Sequence, residues 1–293
     1  MLPSLILADP RSRHDFPFRR AGDNVAAMIR TLDPAAAFEA RAARATALVA
    51  SAPVVAEPLA FAAGLFRLQG RLAAAVLARH EDAPFAGTAA DFPRILDLLA
   101  PLLTYAAEKG PPELAEAARA RHADADETAL ARLAVYWSGE REAREDYLSR
   151  ALLRPYSEVV AGQGVALVRP RHEGHCPACG NAPVVSVRRE VPESQGAARS
   201  LVCALCGTEW PFPRIRCAAC REDDPAKLPT FQTAAHPAVR IEACETCRRY
   251  VKSLDLTLDA RPLPEVDDLA SLAMDLWAIE EGWTRLEPGW AGI

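Results

Sequence analysis

Leucine, valine and alanine recur every three or four residues through the first half of the chain, the spacing of helices that each bury one face. Leu65, Leu68, Leu72 and Val76 form one such stripe within an alanine-rich stretch. Ile95, Leu98, Leu99, Leu102 and Leu103 form a second, and Asp91-Phe92-Pro93 ahead of it suits a helix start. Pro111-Pro112 interrupts the pattern. A further helix is predicted from Leu114 onward, and another carries Leu130, Leu133, Ala134 and Trp137. Residues 142–160 predict one more, which Pro155 should kink or end. These apolar positions read as core packing, so residues 1–168 are expected to be a helical domain.

The period changes at Gly162-Gln163-Gly164. Beyond it, short β-like runs at 184–187 and 240–243 lie between pairs of cysteines, with proline and glycine as punctuation. After Lys252 the chain turns acidic: residues 253–293 hold nine acids and two bases, a net of −7. Asp267 or Asp268 is a candidate cap for a C-terminal helix carrying Leu269, Leu272, Ala273, Leu276 and Trp277 on one face.

With 293 residues the chain has room for more than one domain. Its 50% hydrophobic and 25% charged residues are ordinary for a folded protein. A net charge of −5 provides no global field toward nucleic acid or anionic lipid. The most apolar stretch, residues 47–66, is broken by Pro53, Glu57 and Pro58 before it reaches the roughly 20 residues of a membrane span. Arg19-Arg20 has no continuous apolar region after it and reads as a surface feature rather than an export signal. A cytoplasmic protein without membrane insertion is expected. Thiols are kept reduced in that compartment, so the eight cysteines point to metal ligands or redox centres rather than disulfides.

The cysteines fall in four C-x-x-C pairs: Cys176/Cys179, Cys203/Cys206, Cys217/Cys220 and Cys244/Cys247. Each position of the first four recurs 41 residues later, which marks a duplicated four-ligand unit. Two thiolates two residues apart can bend round one ion, and a β-hairpin can return a second pair to complete a tetrahedron with metal–sulfur bonds of about 2.3 Å. Zinc-ribbon-like modules at 169–210 and 211–252 follow, with the first pair joined to the second and the third to the fourth. Crossed pairing is the alternative. A module of this size buries little core, so the ion must carry much of its folding, and loss of one cysteine should unfold the ribbon. Four-sulfur tetrahedral sites suit zinc or iron alike.

Gly180 and Gly207 follow the last cysteines of the two knuckles in the first unit, where a positive φ lets backbone N–H groups turn toward sulfur. The second unit has Arg221 and Arg248 there, which predicts less relaxed knuckles. Residues 170–252 hold twelve Lys/Arg and nine Asp/Glu. Arg188, Arg189, Arg214, Arg216, Arg248 and Arg249 are candidates to offset the anionic thiolate clusters, or else a solvated face. His172, His175 and His236 lie nearby, and with four sulfurs already available to each ion they are expected at the surface or behind the ligands, a ligand swap at His175 being the alternative.

These residues resemble the formate dehydrogenase accessory protein family FdhE. The resemblance rests on His175-Cys176-Pro177-Ala178-Cys179-Gly180, the three C-x-x-C pairs after it, Tyr250-Val251-Lys252, and Val266-Asp267-Asp268-Leu269-Ala270 leading into Leu276. Residues 65–72 and Leu152-Leu153-Arg154-Pro155-Tyr156 match more weakly, and nothing is carried over for the extreme N-terminus or residues 287–293. It implies an α+β architecture: a helical N-terminal domain, two tandem rubredoxin-like four-cysteine modules and a C-terminal helix. It implies a cytoplasmic assembly factor that is not an enzyme and binds the formate dehydrogenase catalytic subunit. It also implies that the eight cysteines hold two metal ions, iron or zinc, with a redox-sensitive iron form. Thiol exchange or rubredoxin-type electron transfer through the C-x-x-C pairs is the competing reading. A nucleic-acid module is disfavoured, because no dense basic stripe interleaved with aromatics is present.

Overall fold

A computed structural model of the chain describes residues 6–7, 33–139, 146–172, 174–190 and 197–293. Arg19-Arg20 and the start of the helix expected at 142–160 lie outside the described residues. The helical part consists of α1 (Pro34–Val49), α2 (Ala56–Asp82), α3 (Leu99–Lys109), α4 (Pro112–Arg121), α5 (Asp126–Ser138) and α6 (Tyr147–Gly162). α1 begins as its sequence dictates: Asp33 accepts a hydrogen bond from the Ala35 N–H at 3.0 Å, and Pro34 occupies the first turn. The expected stripes point inward, with Leu65, Leu68, Leu72 and Val76 of α2 and Leu99, Leu102 and Leu103 of α3 all buried. Each such side chain contributes about 1.5–3 kcal/mol on leaving water.

Three helical expectations change. Asp91-Phe92-Pro93 does not open α3. It lies in a 3-10 segment, Ala89–Arg94, and a further 3-10 turn precedes Leu99. The Asp91 carboxylate instead gathers the N–H groups of Ala86, Gly87 and Thr88 and accepts from the Tyr156 hydroxyl, so this start signal serves a turn. Pro155 does not end α6, which continues to Gly162. The carbonyl that Pro155 cannot serve, that of Ala151, accepts from Gln69 Nε2 at 2.8 Å and is not left orphaned. Finally, Pro58 falls in the first turn of α2 rather than breaking it. The helical run Pro53–Asp82 is long and apolar enough to cross a membrane by length and composition, with 56% of its most apolar window buried inside the fold.

The other half forms, among the described residues, one eight-stranded mixed sheet. Its strands are β1 (Ile6–Leu7), β2 (Pro183–Glu190), β3 (Ala197–Cys203), β4 (Glu209–Pro211), β5 (Thr230–Thr233), β6 (His236–Cys244), β7 (Arg249–Asp255) and β8 (Thr284–Arg285). They run β1-β5-β6-β7-β2-β3-β4, and β8 also pairs with β7. The runs expected at 184–187 and 240–243 lie within β2 and β6. β2 of the first cysteine unit pairs in parallel with β7 of the second, Val185 opposite Lys252, so a single sheet passes through both units.

Alternation gives this sheet two different faces. Val185, Val187, Val239, Ile241, Ala243, Tyr250 and Leu254 pack on one side with Met274, Ala278 and Trp283. The C-terminal segment that covers them forms two helices, α7 (Pro264–Ala270) and α8 (Leu272–Glu280), separated at Ser271. Asp267 and Asp268 lie inside α7 and do not cap it. Pro264 starts the helix, and Asp267 reaches back to accept from the Leu263 N–H at 2.8 Å.

Candidate metal centres

The four sulfurs of Cys176, Cys179, Cys203 and Cys206 lie within 4.8 Å of one another, and so do those of Cys217, Cys220, Cys244 and Cys247. The pairing is sequential. All eight thiols are free. Sulfur–sulfur distances are 3.6 Å for Cys176–Cys206 and 3.3 Å for Cys179–Cys203, against 3.7 Å for Cys217–Cys247 and 3.6 Å for Cys220–Cys244. A tetrahedron with metal–sulfur bonds of about 2.3 Å has edges of about 3.8 Å, so both donor sets fit one tetrahedral ion each.

The duplication read from the spacing is also a duplication of geometry. The Cys176 N–H donates to the Asn181 carbonyl, and the Cys217 N–H to that of Glu222. Gly180 donates to the Cys176 carbonyl, and Arg221 to that of Cys217. β3 against β4 pairs Val202 with Glu209; β6 against β7 pairs Ala243 with Tyr250, each 41 residues further on. Backbone N–H groups turn inward as expected: Asn181 donates to Cys179 Sγ at 3.4 Å, Leu205 to Cys203 Sγ at 3.3 Å and Ala219 to Cys217 Sγ at 3.3 Å.

The residues after the knuckles carry the strain expected of the second unit. Gly180 and Gly207 have φ of 75° and 68°, while Arg221 and Arg248 are held at 69° and 55°. They are the non-glycine residues with positive φ among the described residues. At Gly180 space is also limiting, since a Cβ would stand 2.3 Å from the Pro170 carbonyl oxygen.

The two sites differ in burial. The first is part of the helical core: its four cysteines cluster with Leu201, Leu205, Trp210 and Phe212 and with the interior of α1 to α6. In the second, Cys220 is exposed and Cys247 half-buried. Burial pushes the Cys179 and Cys203 thiols well up, while the neighbouring sulfurs Cys176, Cys179 and Cys203 hold Cys206 well down. Four thiols this close cannot all ionise unaided, and a bound cation supplies the charge that lets four thiolates coexist. The histidines take other roles: His175 Nδ1 lies 3.1 Å from the Gly180 carbonyl oxygen, and its ring meets His172 edge to face.

Much of the charge of the acidic C-terminal segment lies in the interior. Five of its nine acids, Asp255, Glu265, Asp268, Asp275 and Glu287, are buried. Three of them, Glu265, Asp268 and Asp275, are matched to buried cations that sequence reasoning missed. Lys252, fully buried on the apolar face of β7, meets Asp275 and lies 3.0 Å from Asp268. Arg285 meets the same two carboxylates at 2.7 and 3.0 Å. Arg154 of α6 ion-pairs with Glu158 and Glu265, and Arg41 of α1 joins both. Trp290 stands over Arg150 and Arg154 and edge-on to Phe66, which ties the chain end into the helical domain. A signal existed: a lysine at an inward position of an apolar strand, followed by an excess of carboxylates.

The fold and the paired clusters define a protein with two four-cysteine ribbons joined through one sheet and seated on a helical platform. Residues 175–214 match the family model "FdhE, central domain" and residues 215–289 match "FdhE, C-terminal domain". A protein of Aquifex aeolicus described as "Protein FdhE homolog" is 30% identical over 206 residues, covering 69% of this chain and 71% of that protein. The chain therefore belongs to the FdhE family. A Pseudomonas aeruginosa homologue is 33% identical over 147 residues, and that match spans about half of each chain, 48% and 47%. The crystal structure of the FdhE protein from Pseudomonas aeruginosa superimposes with a TM-score of 0.63 at 25% identity, covering 88% of this chain and 95% of that one.

Proposed function

We propose that this protein is a cytoplasmic accessory factor for the maturation of formate dehydrogenase, that it binds the catalytic subunit of that enzyme, and that it is not itself an enzyme. In this reading Cys176, Cys179, Cys203 and Cys206 hold one ion and Cys217, Cys220, Cys244 and Cys247 a second, iron or zinc. The ions fix the shape of the sheet that a client meets. In the same reading the chain divides at residues 168, 210 and 252 into a helical domain, two four-cysteine ribbons and a C-terminal helical segment. The observation that carries the proposal is the pair of tetrahedral four-sulfur sets in a chain of the FdhE family. Adaptor work needs a shaped surface rather than a reacting group, and thiolates committed to a metal are withdrawn from exchange chemistry.

The test is capture of the formate dehydrogenase catalytic subunit on the immobilised metal-loaded protein under reducing, anaerobic conditions. Retention of the subunit is expected, with loss on Cys179→Ser. No retention by the metal-loaded wild-type protein would overturn the proposal.

One observation favours a second reading, redox sensing or electron transfer at the second site. Cys220 is exposed, so an iron bound there would lie close to solvent and to a partner. The N–H groups of Ala219 and Cys220 both donate to Cys217 Sγ, a feature that tunes the potential of such a centre. Voltammetry of the iron-loaded protein decides: a reversible one-electron wave that disappears in Cys220→Ser supports it, and a silent electrode excludes it.

A further inference from the structure

The face of the sheet opposite the apolar one carries an unusual concentration of arginine. Arg188 on β2, Arg199 on β3, Arg240 on β6 and Arg249 on β7 share the parity that faces away from Val187, Ile241 and Tyr250. Arg188 and Arg199 are directly opposed across an antiparallel pair, an arrangement of like charges that costs stability. The segment linking the two cysteine units adds Arg214 and Arg216. All six line one cleft of about 400 Å³, together with Ile215, Ala226 and Leu228, and among the described residues its only lining carboxylate is Glu242.

Internal pairing leaves a surplus of positive charge. Arg199 is bound by Glu242 at 2.5 Å. Arg188 and Arg240 share one carboxylate, Asp255, at 3.2 and 3.4 Å. Arg216 reaches Asp223 at 3.4 Å at the exposed rim. Among the described residues, Arg214 and Arg249 have no carboxylate of their own at ion-pair distance, and burial together with neighbouring Arg188 pulls the Arg214 guanidinium below its ordinary range. Cys217 and Cys244 of the second cluster also touch the cleft. A tetrathiolate site with a divalent ion carries −2, which still leaves the six guanidinium groups in excess. The volume falls within the span of small-molecule sites, about 300–1,000 Å³. Guanidinium forks match the paired oxygens of phosphate groups.

We propose that this arginine cleft, between the linker and the β6–β7 face beside the second four-cysteine cluster, binds a small ligand bearing a phosphate or diphosphate group. The apolar strip of Ile215, Ala226 and Leu228 accommodates the rest of the ligand, and Arg214 and Arg249 supply the contacts that are not already committed within the protein. Occupation relieves the like-charge opposition of Arg188 and Arg199, so the ligand also stabilises the junction of the two ribbons. This inference stands apart from the accessory reading and does not depend on it.

Calorimetric titration of the full-length, metal-loaded protein with inorganic pyrophosphate tests it, with orthophosphate and a hexaglutamate peptide as parallel probes. Saturable pyrophosphate binding is expected. It should weaken about tenfold or more in Arg214→Ala/Arg249→Ala at unchanged metal content, and stay unchanged in Arg189→Ala, whose guanidinium pairs with Glu209 outside the cleft. No saturable heat, or full binding by the double variant, overturns the proposal. Tighter binding of hexaglutamate than of pyrophosphate also overturns it, in favour of an acidic peptide. Should the double variant lose metal, phenylglyoxal labelling of the wild-type protein decides: pyrophosphate protects Arg214 and Arg249 if the cleft is its site, and their unchanged labelling rates reject it.

Discussion

Arg248 lays its guanidinium 3.6 Å from the centre of the Trp283 ring while its backbone is held at a φ of 55°. The same side chain donates to the Glu281 carbonyl at 2.9 Å. Side-chain contacts thus offset a backbone conformation that glycine would adopt freely. Arg221 occupies the equivalent turn with φ at 69°. Arg221→Gly is expected to stabilise the second ribbon by about 1 kcal/mol. Arg248→Gly should give less or destabilise, because the stacking on Trp283 is lost. Chemical denaturation of the metal-loaded variants separates the two outcomes.

Metal release should be biphasic. The first site is wholly buried in the helical core, whereas the second presents Cys220 to solvent. A colorimetric chelator such as 4-(2-pyridylazo)resorcinol is expected to strip one ion quickly and the other slowly. Cys220→Ser should remove the fast phase and leave the slow one. A single phase in the wild-type protein would contradict the difference in burial.

The Lys252 network is a load on the fold as well as a link. In Lys252→Met, Asp268 and Asp275 keep only Arg285 as a cation among the described residues, and a buried charge is left undercompensated. A loss of about 3–5 kcal/mol is expected. Urea unfolding monitored by tryptophan fluorescence measures it, and a change below about 1 kcal/mol would argue against the network.

Gln69 and Pro155 should be energetically coupled although they do not bond to each other. Gln69→Leu leaves the Ala151 carbonyl without a donor and should cost about 1–3 kcal/mol. In Pro155→Ala the helix supplies its own N–H, so the same Gln69 substitution should cost much less. A double-mutant cycle reads the difference directly.

Acid should weaken the junction between helices and sheet. Burial alone would raise Glu265 and Asp268, yet both lie below their ordinary values because Arg154 and Arg41 act on the first and Arg285 and Lys252 on the second. A carboxylate lower in the folded than in the unfolded state lends stability that is complete above about pH 5 and drains away as pH falls through the folded value. The denaturation midpoint should therefore fall below pH 5, and Glu265→Gln should show a shallower dependence. Equal slopes in the two proteins would remove Glu265 from the account.

Legibility of the fold varies with the range of the interactions. The stripes of α2 and α3, that of α5 apart from exposed Ala134, and the 41-residue duplication are visible because helical period and knuckle chemistry are local. The sequential pairing of the cysteines follows from the same repeat. Pro155 misleads, because the donor that rescues its helix sits 82 residues from Ala151. Asp91 misleads for the opposite reason: its carboxylate finds closer N–H groups in a turn. The acidic segment is legible as charge but not as interior, because Glu265 meets Arg154 from 111 residues away. Neither the two-faced sheet nor its arginine cleft can be assembled until the parallel pairing of β2 with β7 is known.

That pairing has a last consequence. Loss of the ion from the second ribbon is expected to loosen β7, and with it the parallel pairing that covers this edge of β2. A half-loaded chain is then a sticky one, inclined to dock on its own copies. The duplicated halves are thus expected to protect each other, with the doubly metallated form the least prone to aggregate.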